Sequence, residues 1–129
     1  MIFLWRWLLN LPFIVRLSLC VVVIVFWAYV CLAPSSDEPA WIEINDKVAH
    51  FVGNFGITGV IYIAAVCRRW WSLAGIVLSY ALGIEVIQSF IPSRFFSLWD
   101  MVANTGGVVT AIVLMQWLER RKQSSENWF

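Results

Sequence analysis

Charge is scarce in this chain, and what there is nearly cancels. Nine Lys and Arg stand against eight Asp and Glu in 129 residues, a formal net of +1. No field of one sign is available to hold a polyanion, so nucleic acid is not expected as a partner. Histidine occurs once. The three cysteines, Cys20, Cys31 and Cys67, are odd in number, sit in or beside apolar runs and show no Cys-x-x-Cys spacing. Neither a disulfide framework nor a cysteine metal site is expected from them.

What fills the chain instead is apolar. With 61% hydrophobic residues, 13% charged residues and a mean hydropathy of +0.79, the composition lies outside the range of water-soluble domains. Apolar runs of about 20 residues recur between short polar joints, each long enough to cross a hydrocarbon layer about 30 Å thick. The expected fold class is all-α: a small integral membrane bundle of four transmembrane helices with both termini cytoplasmic. Residues 1–12, with Trp5 and Trp7 around Arg6, read as an interfacial segment. The spans are placed at 13–33, 48–67, 72–91 and 98–118, and residues 119–129 form a polar cytoplasmic tail. Pro34 follows the only suitable cleavage position, so the first span reads as an uncleaved anchor rather than a signal peptide. Arg16 is close enough to its end to snorkel to the headgroups. Gly53, Gly56 and Gly59 are expected to let neighbouring helices approach.

Seven of the nine basic residues (Arg6, Arg16, Arg68, Arg69, Arg120, Arg121 and Lys122) fall on one side of a four-span arrangement. By the positive-inside tendency that side is cytoplasmic. The loops at 34–47 and 92–96 then emerge together on the outer face, and the polar residues inside or beside the spans collect there. Asp46 and His50 are i,i+4 neighbours, Glu85 and Gln88 are i,i+3, and Asp100 and Asn104 are again i,i+4. Three helix ends each present a polar pair, with Lys47 and Arg94 as the nearby cations. Ser97-x-x-Asp100 is also a helix start, with Ser97 as N-cap, and Asp46 can be read the same way. Glu85 has no such duty, because it lies inside a span, where an acidic residue costs about 2.5 to 3.5 kcal/mol on insertion scales. Gln88 and Asn104 also suit interhelical bridging.

The ordered set Asp46-Lys47-x-x-His50-Phe51, then Glu85-x-x-Gln88-x-Phe90-x-Pro92-x-Arg94-x-x-Ser97-x-x-Asp100-x-x-x-Asn104-x-x-Gly107, resembles the VanZ-like family of bacterial membrane proteins. The resemblance covers about Asp46 to Gly107 and implies a small multi-span protein of the bacterial cell envelope, whose namesake is linked to resistance against the glycopeptide teicoplanin. It supplies no chemical mechanism.

The polar cluster leads to an outward-facing pocket with groups to bind and process a substrate, and the resemblance implies that it lies in a bacterial inner membrane and takes a lipid-linked or anionic envelope substrate. Glu85, Asp100 and His50 are the acid and base candidates, and Lys47, Arg94, Asp46, Gln88 and Asn104 are the candidate binding residues. No cofactor is expected; His50 with Asp46, Glu85 or Asp100 could hold a metal, but one histidine among carboxylates is a weak signal and no metal is assigned. A homo-oligomer or a partner membrane protein is compatible with so small a bundle. The rival reading is a non-catalytic binding or assembly module whose polar cluster locks the helices.

Overall fold

The computed structural model describes residues 7–32, 41–67, 69–92 and 96–126. Arg94, Arg6, Arg68 and the first half of the loop expected at 34–47 lie outside those residues. Among the described residues the chain is all-helical, with no strand. After a helical turn at residues 7–10, four long helices follow: α1 (Phe13–Leu32), α2 (Trp41–Ile63), α3 (Trp70–Gln88) and α4 (Leu98–Glu126).

Three of them are long and apolar enough to cross a membrane: Phe13–Leu32, Trp70–Gln88 and Leu98–Ser124. α2 is the exception, and its sequence shows why. At 23 residues it is about 34 Å long, sufficient by length. But it begins seven residues before the expected span and carries Glu43, Asp46, Lys47, His50, Asn54 and Thr58. The polar residues at 46, 50, 54 and 58 recur every fourth position and form one stripe. His50, Asn54 and Thr58 are buried, whereas Val48 and Val52 face outward. The helix is therefore apolar outside and polar inside. α4 also departs from expectation, since it continues to Glu126 through what reads as a polar tail.

The same inversion marks the whole bundle. Buried positions include Glu85, Gln88, Asp100 and Asn104, while Phe26, Tyr29, Trp71, Phe90 and Trp99 are exposed. Water would reward the opposite arrangement, and lipid rewards this one. Trp71, Phe90 and Trp99 lie at helix ends, where an aromatic belt belongs.

α2 occupies the middle of the bundle, packing most extensively on α4 and also touching α1 and α3. Gly107 makes the α2–α4 approach close: a Cβ there would run into the Phe51 carbonyl oxygen and come within 3.0 Å of the Phe55 nitrogen. Gly53 makes room for the Trp27 indole of α1, whose Cδ2 would be 2.6 Å from an added Cβ. Gly56 and Gly59, by contrast, have nothing within 4 Å of an added Cβ. A three-residue step drifts about 60° around a helix of 3.6 residues per turn, so the three glycines cannot share one contact line. Gly56→Ala is therefore expected to raise the thermal midpoint of the purified protein, through a helix-propensity gain of up to about 1 kcal/mol. A fall would show a contact at that face.

The helix ends sort by chemistry. At one end Arg16 donates to the Ile63 carbonyl (2.9 Å), the Tyr62 hydroxyl donates to Glu119, and Tyr62 stacks on Trp70 with ring centroids 5.0 Å apart. Arg16 is thus engaged with the C-terminus of α2 rather than reaching for headgroups, a favourable use of a cation at that end of a helix. Arg121 lies 4.9 Å over the Trp117 ring at this end too. At the other end Gln88 donates to the Cys31 carbonyl (2.8 Å), and the remaining polar side chains gather around His50.

Candidate functional site

Each helix delivers something to His50. α2 supplies the imidazole itself and Asp46 one turn earlier, with Asp46 Oδ1 3.8 Å from His50 Nε2. α3 supplies Glu85, whose Oε1 is 3.8 Å from His50 Nδ1. α4 supplies Asn104, whose Oδ1 is 3.2 Å from the same nitrogen, and Asp100 one turn before it. α1 supplies Trp27, edge-on to the imidazole at 6.1 Å between centroids and an interplanar angle of 89°. His50 is 3% exposed, Glu85 0%, Asp100 7% and Asn104 1%, whereas the Asp46 side chain is 40% exposed.

The hydrogen bonds fix which imidazole nitrogen carries the proton. Asn54 Nδ2 donates to the His50 backbone carbonyl at 3.0 Å, and a carbonyl can only accept, so the Asn54 nitrogen faces that way. The same nitrogen lies 2.6 Å from the Asn104 side chain, which must therefore present its oxygen. That oxygen is what His50 Nδ1 meets, so Nδ1 must donate. In the neutral ring Nε2 is left as a lone pair, pointing toward Asp46. Two asparagines thus act as a relay that sets the tautomer of a histidine on a third turn.

Glu85 has more structural work than its sequence position suggests. Its Oε2 accepts from the Ser97 backbone N–H at 3.3 Å, tying the end of α3 to the start of α4. Ser97 is the N-cap of α4 as expected: its hydroxyl accepts from the Asp100 N–H at 3.3 Å and its carbonyl accepts from the Met101 N–H at 3.3 Å. These bonds satisfy backbone groups and leave acidic oxygens over. Among the described residues, Glu85 Oε1 and Asp100 Oδ1 are buried without a hydrogen-bond partner. Buried acceptors left in that state cost about 1 to 3 kcal/mol each and are uncommon in native structures.

The expected site residues therefore divide. Asp46, His50, Glu85, Asp100 and Asn104 come together around the imidazole. Lys47 follows Asp46 on α2 and is half-buried. Gln88 stands apart, its amide bound to the α1 backbone, and Arg94 is outside the described residues. Two participants are not among the expected residues. Asn54 extends the four-residue spacing from Asp46 and His50 by one more turn, a visible signal. Trp27 has no signal, being one aromatic in an apolar run. One ligand atom each from Asp46, His50 and Asp100 lie within 4.8 Å of one another, which makes these three the candidate ligands for a metal ion.

Comparison with known proteins reaches most of the chain. The family model described as VanZ/LLP1 matches residues 17–119. A protein of Schizosaccharomyces pombe, described only as uncharacterized, is 36% identical over 102 residues, covering 76% of this chain. The chain spans 60% of the length of that relative. No solved structure matches. The matched stretch contains Asp46, His50, Glu85, Asp100 and Asn104 together.

Proposed function

The chain belongs to the VanZ/LLP1 family, and on that footing we propose that it is a membrane protein that takes an anionic, lipid-linked headgroup into the polar cluster around His50. The observation that carries this reading is the gathering of Asp46, His50, Glu85, Asp100 and Asn104 inside a lipid-facing bundle, with the Lys47 cation next to Asp46. Ionisable groups set into a lipid-facing bundle are costly, and their usual reason is a ligand or a proton.

In this reading all four helices span, both termini are cytoplasmic, and the cluster opens to the periplasmic or extracellular side of a bacterial inner membrane. Supporting it, Arg16, Arg69, Arg120, Arg121 and Lys122 lie toward the end opposite His50. Lys47 and Arg94 would grip the anionic group, as ammonium and guanidinium grip phosphate. Glu85, Asp100 and His50 would be the acid and base candidates. Asp46 and Asn104 would orient the ring and Gln88 would hold the rim. A link to glycopeptide resistance follows only if that headgroup belongs to a cell-wall precursor.

A second reading has its own observation. The Asn54–Asn104–His50 relay and the Gln88–Cys31 bond fasten helices together, which is what an assembly module would need. Glu85→Gln, Asp100→Asn and His50→Gln separate the two. Each is expected to give near-normal yield of monodisperse protein in detergent while altering the envelope lipid profile, and with it teicoplanin sensitivity, of a strain in which it is the sole copy. Collapse of the yield in all three would favour the structural module and remove the headgroup reading.

A further inference from the structure

We propose that Asp46, His50 and Asp100 form a binding site for a divalent first-row metal ion, Zn²⁺ or Mn²⁺, between the early turns of α2 and α4. Their ligand atoms lie within 4.8 Å of one another, and His50 Nε2 is 3.8 Å from Asp46 Oδ1. A tetrahedral ion with bonds of about 2.0 to 2.2 Å holds its ligand atoms about 3.3 to 3.6 Å apart.

Three separate features point to a cation rather than to a chance gathering of acids. The first is Asp100: it is 7% exposed, one of its carboxylate oxygens lies in the trio, and among the described residues its Oδ1 has no hydrogen-bond partner. A cation supplies what that oxygen lacks. The second is the tautomer. Nδ1 donates to Asn104, so Nε2 carries the lone pair on the side where Asp46 lies. A ligating histidine usually donates its other N–H to a carbonyl or carboxylate in this way, which fixes the ring and raises its basicity. The third is asymmetry of access, with Asp46 40% exposed and the other two ligands buried. Three protein ligands with one open side leave a coordination position for an exchangeable oxygen.

One imidazole and two carboxylates suit Zn²⁺ or Mn²⁺ better than Ca²⁺, which gathers six to eight oxygens. A divalent ion would also balance the two carboxylates formally and turn an acidic cleft into one that accepts an anionic oxygen. The site is inferred from its ligand atoms and does not rest on the headgroup reading.

The test is made on the full chain purified in detergent, stripped with chelator and titrated with Zn²⁺ by calorimetry and with Mn²⁺ by electron paramagnetic resonance. A single equivalent is expected, with a nitrogen hyperfine coupling on Mn²⁺ that disappears in His50→Gln. Asp100→Asn and Asp46→Asn should each weaken binding by at least about 10-fold, the scale on which even the supporting residues of metal sites act. If Asp100→Asn fails to fold, Asp46→Asn and the nitrogen coupling decide the matter, because Asp46 is the most exposed ligand. Absence of stoichiometric binding of either ion at about 1 mM, the weak end of biological cation sites, overturns the proposal. Unchanged affinity in Asp46→Asn, or bound Mn²⁺ without nitrogen coupling, overturns it equally. Metal binding without any binding of a phosphorylated lipid leaves this site standing and removes the headgroup reading instead.

Discussion

Gly107→Ala is expected to lower the stability of the purified protein by about 2 kcal/mol, because the added carbon would meet the backbone of a neighbouring helix. Two terms oppose each other. Alanine is the better helix former by about 1 kcal/mol. Its methyl group, however, would run into the Phe51 carbonyl oxygen and press on the Phe55 nitrogen at 3.0 Å, and neither is the loose end of a side chain. Forcing extra volume into a packed contact costs about 1 to 3 kcal/mol when side chains can give. Here α2 and α4 would have to part, which places the cost at the upper end. Gly56→Ala is the matched control, since it gains the propensity term and meets nothing. The measurement is the pair of thermal midpoints in one detergent. If both variants are stabilised alike, the close α2–α4 approach is wrong, and with it the geometry that brings Asn104 to His50.

Asn104→Leu is the second large effect, expected to cost about 2 to 6 kcal/mol. The asparagine oxygen accepts from both His50 Nδ1 and Asn54 Nδ2, at 3.2 and 2.6 Å. Removing it strands two buried donors, each worth about 1 to 3 kcal/mol when left unpaired. Asn54 keeps its bond to the His50 carbonyl, so the lower part of the range is the better guide. The same substitution frees the imidazole to change tautomer, and metal affinity should fall by about 10- to 100-fold through loss of a supporting bond alone. If Asn104→Leu and wild type unfold at the same temperature, Asn104 does not hold the ring.

How far these features could be read from the sequence depends on what each one bonds to. The i,i+4 pair Asp46–His50 and the cap at Ser97 depend on spacing along one helix, and spacing is visible. So is the continuation to Asn54 and Thr58, which identifies the inward stripe of α2 once the helix is known to start at Trp41. That start is obscured because Glu43, Asp46 and Lys47 resemble loop residues, although acids near a helix N-terminus are favoured by its dipole. The fate of Gln88 and Arg16 could not be read, since each donates to a backbone carbonyl of another helix, Cys31 and Ile63. Every residue has a carbonyl, so sequence carries no sign of which one will be met. Trp27 is hidden for a similar reason: its place against His50 depends on the absence of a side chain at Gly53. Glu85 gained a structural role from a backbone N–H twelve residues away at Ser97, and that too has no signature.

The uneven burial of the acids around His50 also gives the cluster a direction. His50 and Asp100 are enclosed, whereas the Asp46 side chain is 40% exposed. Asp46 is thus the carboxylate that a ligand on its way in would meet first. Lys47, next in sequence, places a positive charge beside that passage, where a field of either sign changes the frequency of arrival. One turn of α2 thus sets an exposed acid and a cation side by side in front of the enclosed groups.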